Sequence, residues 1–440
     1  MSGRLHRSIE YQHQLYGPVV RVSPNELSFA SVGSWKAIYG PPSIGKQHCI
    51  KSEFYDVFAA DYDSKCIGSE RNPVRHAQMK KNLSAAFSTK ALLDQEHIIR
   101  KCVDSMVAKV RLRGSAPNGI NMTHWAEMVS FDILGEMAFG ESFHCVQNEA
   151  PHFWFEMLTK YLFFITLVDN LRRLPFVPTL GKLIAPLTAG IQEKNHKYSR
   201  ELVKRRLAND LHQKDFMTNI VEKVRFGEVS EEELTAHAAT LVVAGGETIS
   251  TFLAATTFYL CKTPKALEKL QTELRTRYTS ADEINATSAG QLPYLQAVIQ
   301  EGLRIFPPGS QGFPRISSGV QVDGCWIPQG TEIYTSAWTV THDERYFKDP
   351  EAFVPERWLA SDNGDLKEAS QPFSLGPRAC LGRNFAMVEA CLILGILLFE
   401  FDIQLVDSNQ EWEPKCHMHV NWLKPDLPVR FVQRTSGRLV

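Results

Sequence analysis

Apolar positions along this chain recur mostly at intervals of three and four, the spacing of one helix face. Only two short regions alternate at every second position. The helical spacing predicts helices over residues 76–87, 91–110, 123–139 and 192–211. The clearest pattern starts at Ser230, where Glu233 three residues on gives a capping-box signature. It runs to Leu260, about 30 residues or ~45 Å of helix. Thr263-Pro264 restarts a helix with an N-cap and a proline in its first turn. Another helix begins near Pro293 and must end by Phe306, because Pro307-Pro308 cannot continue it. Alternation predicts strands at 19–22 and 26–30, on either side of Ser23-Pro24-Asn25. A second β-rich stretch covers 320–334, with turns at Asp323-Gly324 and Pro328-Gln329-Gly330. The expectation is one domain, mainly α with a small β region, without repeats or low-complexity tracts.

Composition narrows the function classes. A net charge of −1 over 440 residues gives no support for nucleic-acid binding. Nine cysteines, an odd number without CxxC or zinc-type spacing, point to a reducing compartment without a disulfide framework. The first seven residues are polar and carry no apolar core of a signal peptide. No run reaches the ~20 apolar residues of a spanning helix. The nearest, 390–399, reads as a buried core helix. Asn-X-Ser/Thr triplets at Asn82, Asn121 and Asn285 are then read as chance.

One stretch carries chemistry by itself. The run Phe373-Ser374-Leu375-Gly376-Pro377-Arg378-Ala379-Cys380-Leu381-Gly382 puts a cysteine in a glycine-bracketed loop, just before a helical pattern from Asn384. A thiolate at a helix N-terminus is stabilised by the dipole and free N–H groups. Gly376 and Gly382 let backbone approach a flat ligand closely, and Phe373 is placed to cover the sulfur. Such a cysteine suits the fifth ligand of haem iron, and the cofactor expected is haem b. Most free cysteines are inert packing, and that plain reading fits the other eight. Only Cys380 has Phe, Gly, Arg and Gly at set offsets. This run resembles the haem-binding signature of the cytochrome P-450 family, with every fixed position matched.

Ala244-Gly245-Gly246-Glu247-Thr248 lies inside the long helix. Two interior glycines cost roughly 1 kcal/mol each against alanine. Taken alone, the segment reads as close helix packing with a solvent-facing Glu247. A ligand seated against a locally widened helix is the sharper alternative. Beside Cys380 it resembles the family's oxygen-activation segment, which implies that Thr248 supports dioxygen and Glu247 belongs to the proton relay. Glu301 and Arg304, three apart on an apolar helix, would alone be a weak surface pair. With Pro355-Glu356-Arg357-Trp358 they resemble the family's Glu-x-x-Arg element, implying a structural Glu301–Arg304–Arg357 network that fixes the cysteine loop. The resemblance also places His76, Lys80, Arg315 and Arg378 at the haem propionates. Lysine at 80 departs from the usual arginine and lacks its bidentate fork.

The resemblance spans nearly the whole chain, from Gly17-Pro18-Val19-Val20 to Leu427-Pro428-Val429, and the opening reads like fungal microsomal members. It implies the P-450 fold and a monooxygenase acting on an apolar small molecule, a secondary metabolite. Electrons would come from NADPH through a separate NADPH-cytochrome reductase, with cytochrome b5 as a second donor, because no G-x-G-x-x-G fingerprint occurs here. Substrate windows by analogy are 46–73, 163–178, 242–248, 308–313 and 417–421. An N-terminal membrane anchor is expected to be missing from this chain. The protein is expected at the cytosolic face of the endoplasmic reticulum, with 161–167 and 174–178, around Arg172 and Arg173, meeting the membrane surface. Rival readings are a haem-thiolate catalyst of ring closure, desaturation or rearrangement, and a haem-binding sensor without turnover.

Overall fold

The pattern that opens at Ser230 becomes one helix, Glu231–Lys262, and the rest of the fold is arranged around it. The computed structural model describes residues 2–41, 49–59, 62–171, 178–208, 215–359 and 364–434. Ser230 Oγ accepts the Glu233 N–H at 3.1 Å, and three glutamates in the first turn face the positive end of the dipole. Helices Met122–Phe139, Pro293–Ile305 and Arg383–Glu400 pack against it. All are buried over much of their length, so the core surrounds the long helix instead of lying beneath it. Among the described residues this helix is long and apolar enough to cross a membrane. That corrects the expectation that no run approaches that length. Its apolar side chains are mostly inside the protein, as its neighbours require.

Other boundaries moved for local reasons. The expected helix 76–87 is Pro73–Ser84, capped by Asn72 Oδ1 with Pro73 in the first turn. The expected 91–110 splits at Gln95 into Thr89–Asp94 and Glu96–Arg113, because Ser88 caps a separate short turn. The expected 192–211 begins far earlier, at Pro178, and is described to Ala208. Gly181, Pro186 and Gly190 are breakers that hid its first half. Residues 209–211 and 174–177 lie outside the described residues. A helix at Phe153–Leu171 was not expected as one.

The β region holds a five-stranded sheet in the order Val19–Ser23, Glu26–Phe29, Glu332–Thr335, Arg315–Ile316, Ile50–Lys51. The Glu26–Phe29 and Glu332–Thr335 strands run parallel, and the other pairs antiparallel. Its last pair sets Lys51 directly opposite Arg315. Asp323-Gly324 closes the hairpin Val320–Val322/Cys325–Ile327, with both turn residues at positive φ.

Candidate active site

A cavity of about 450 Å³ lies between the long helix and the cysteine loop, and both Cys380 and Thr248 line it. The loop is held by its own bonds. Cys380 N–H donates to Phe373 O at 2.8 Å, and Lys80 Nζ donates to Pro377 O at 2.7 Å. Arg378 donates to the carbonyls of Glu70 and Arg71. Gly376, at φ +71°, would drive a Cβ into the Tyr39 carbonyl. Its role is therefore to seat the loop on the helix Val32–Tyr39, which corrects the expectation that it clears room for a ligand. Gly382 lines the cavity, and a Cβ there would meet only Cys380 Sγ, at 3.9 Å. Phe373 lines the cavity beside Cys380, with Arg383 over its ring.

The surface of Cys380 is cavity surface. Burial pushes its thiol up, against the N–H groups of Gly382 and Arg383 and the charge of Lys80. The helix terminus is thus present, but desolvation outweighs it in the free protein. The thiolate expected from sequence is the form that a metal bound at the sulfur would stabilise.

On one wall positive groups crowd together. Arg315 is buried, lies over the rings of Tyr39 and Tyr55, and among the described residues leaves Nη1 without a hydrogen-bond partner. Burial and Arg315 hold Arg378 down to about 10. Lys51, which sequence reasoning had placed only in a broad substrate window, donates to Ile67 O and Gly68 O. Burial, Arg378 and Arg315 bring it to about 7. Like charges facing each other across a ladder are destabilising, so the Lys51–Arg315 pair and the orphaned guanidinium N–H fit an anionic ligand such as a propionate. Only the folded sheet brings Lys51 there. His76 also lines the cavity, but burial and the cations Arg378, Lys51, Lys80 and Arg315 press it to about 3. The same cations thus disfavour a charge on its ring.

On the opposite wall Thr248 Oγ1 donates to Ala244 O at 2.7 Å, leaving its oxygen lone pairs toward the cavity. Gly245 owes its place to packing: a Cβ would lie 2.9 Å from Leu134 of the neighbouring helix. Glu247 is buried, not solvent-facing, and is not among the cavity-lining residues; Lys424 Nζ lies 3.4 Å from its Oε2. Every one of the five substrate windows contributes to the lining, among them Phe58, Ile165, Val243, Gly309 and Val420. Leu134, Asn195, Thr240 and Phe252 also line it, and no motif marked them.

Arg304 meets Glu301 through Nε and Nη2 at 2.9 and 2.8 Å, and donates to Thr341 O, Pro350 O and Ala352 O. Glu301 also accepts from Arg357 Nε, Trp358 Nε1 and Val354 N–H. Arg357 goes on to Asp365, which sequence reasoning missed. These bonds fasten residues 341–359 and Asp365, which precede the cysteine loop.

Comparisons with known proteins agree with this geometry. The family model for cytochrome P450 matches residues 1–431. A cytochrome P450 monooxygenase, ORF9, of Penicillium roqueforti is 57% identical over 98% of this chain and 85% of its own length. Cytochrome P450 monooxygenase BOT4 of Botryotinia fuckeliana is 49% identical over 98% and 82%. Cytochrome P450 monooxygenase BOA3 of the same species is 36% identical over 98% and 87%.

Proposed function

From the premise that this chain belongs to the cytochrome P450 family, we propose that it inserts one atom of dioxygen into an apolar small molecule, a secondary metabolite of the kind fungi make. The observation that carries the reading is that Cys380 and Thr248 share one largely apolar cavity that Lys51, Arg315 and Arg378 also line, with Arg315 Nη1 unpartnered among the described residues. Bound there, haem b supplies the iron at which dioxygen is reduced and split. Cys380 would hold it from below, with Phe373 keeping water from the sulfur. Arg315, Arg378 and Lys51 would balance the propionates, and His76 would donate as a neutral imidazole. Thr248, its own proton committed to Ala244, accepts a hydrogen bond from the cavity and orients what binds beside it. Phe54, Phe58, Ile165 and Phe252 exclude water and select an apolar substrate.

Electrons would come from NADPH through a separate reductase, with cytochrome b5 as a second donor. The site of action is the cytosolic face of the endoplasmic reticulum. The apolar helix Phe153–Leu171, with Phe153 and Phe163 exposed, supports a membrane contact. Vesicle flotation checks it: failure to float removes that contact.

The ligand assignment is tested spectroscopically. Cys380→His should lose the strongly red-shifted Soret band of the ferrous–CO complex, and an unchanged band overturns the assignment. The substrate is found by incubating holoprotein, reductase and NADPH with extracts of a strain lacking the gene. The precursor that accumulates there should be consumed, and no consumption under turnover refutes the reading.

A further inference from the structure

The cavity accounts for Thr248 but not for its neighbour. Glu247 sits in a closed group of one cation and two carboxylates. Lys424 Nζ lies 3.4 Å from Glu247 Oε2 and 3.3 Å from Glu127 Oε1, and 3.3 Å from Thr251 Oγ1. The side chains of Lys424, Glu247 and Glu127 are 1%, 7% and 12% exposed, so bulk water does little for any of them. They come from the long helix, from Met122–Phe139, and from the segment after the strand Asn421–Leu423.

One ammonium cannot neutralise two buried carboxylates, and an uncompensated buried charge is costly. Holding one proton removes the excess. Burial, with the charge of Glu247, pushes the Glu127 carboxyl above the usual range, against the pull of Lys424 and His124. Burial disfavours the charge on Lys424, yet Glu247 and Glu127 together hold its pKa above the ordinary lysine value. The other titratable groups facing the cluster are His124, 3.8 Å from Asp426, and Cys416 beside Lys424.

We propose that Lys424 and Glu127 are positioning residues for Glu247: Lys424 draws its carboxylate off the cavity, and Glu127 carries the cluster's one spare proton near the surface. This rests on the reading that Glu247 serves proton delivery toward Thr248. The Glu247 carboxylate receives the proton it hands on through the ammonium between the carboxyls, and Glu127, the most exposed of the three, is reprotonated from water. Lys424 passes one proton to the Glu247 carboxylate and takes one from the Glu127 carboxyl, and the net charge is unchanged.

Two measurements on the holoprotein test it. The first is thermal unfolding. K424M should lower Tm by about 3–8 °C at pH 7. K424M/E247Q should recover most of the loss, and E127Q should leave Tm unchanged. If K424M/E247Q recovers nothing, or if E127Q costs as much as K424M, the shared-proton cluster is wrong. The second needs no substrate. Dithionite-reduced holoprotein is re-oxidised in air, and the rate is followed at the Soret band from pH 6 to 8.5. K424M should slow re-oxidation severalfold across that range, and K424R should restore the rate. If K424M does not fold, K424R and E127Q carry the same comparison: K424R should keep the wild-type profile, and E127Q should slow re-oxidation severalfold above pH 7. If E247Q moves the profile and neither Lys424 nor Glu127 variants do, this inference fails alone. If E247Q leaves it unmoved, proton delivery by Glu247 fails, and this inference with it.

Discussion

Replacing Arg304 with alanine should leave almost no haem-loaded protein, and the size of that effect follows from the bonds it makes. Arg304 is fully buried and uses all three nitrogens on five acceptors. Truncation takes the fork from Glu301, whose carboxylate then keeps Arg357, Trp358 and Val354 as donors. Breaking a buried pair from one side costs about 3–5 kcal/mol. The carbonyls of Thr341, Pro350 and Ala352 lose their donor as well, at ~1–3 kcal/mol each where water cannot reach. The low ends alone amount to roughly 6 kcal/mol, comparable with the whole stability of a folded protein, ~5–15 kcal/mol. Arg304→Lys should fall between, because a lysine restores the charge but not the planar fork. The assay is urea unfolding by tryptophan fluorescence, with haem content from the ratio of Soret to protein absorbance. Trp358 sits in the network and reports on it directly. Recovery of Arg304→Ala with full haem content and a wild-type urea midpoint would refute the reasoning.

Further outcomes follow from the same geometry. Thr248→Ala should still bind haem but divert NADPH oxidation to peroxide, with product per NADPH falling by up to ~10²-fold, the lower end for a positioned proton-handling group; unchanged product per NADPH would refute its role. Arg315→Met should lose haem to apomyoglobin faster than wild type while its secondary structure, read by circular dichroism, stays the same. Glu389 is fully buried, with both oxygens unpartnered among the described residues, and burial alone pushes its carboxyl well above the usual range. A group raised on folding supports stability below its unfolded pKa and withdraws it as pH rises through the folded one. Glu389→Gln should therefore match wild type in Tm only near pH 4, at the ordinary glutamate value of about 4.3, and hold its Tm better as pH rises above it, checked by thermal scans from pH 4 to 9.

The elements legible in the sequence are those whose cause is local. Ser230 caps its helix through a bond to an N–H three residues away, and Pro307-Pro308 stops another for want of N–H groups. The cysteine loop could be read because its constraints lie within ten residues, and Glu301 with Arg304 because they share a helix turn. Even there the reasons differed in part. Gly376 yields to Tyr39 and Gly245 to Leu134, contacts that no spacing reveals. What the sequence determined by itself was the family, the mainly α class and the identity of the candidate ligand. What only the tertiary structure decided was charge. Lys51 opposite Arg315, Asp365 on Arg357, and Lys424 between Glu127 and Glu247 join residues far apart along the chain. Coulomb energy and desolvation depend on distance and burial in space, so how far burial lowers His76 and raises Cys380, and how Lys424 draws Glu247, is set by packing that periodicity and motif do not encode.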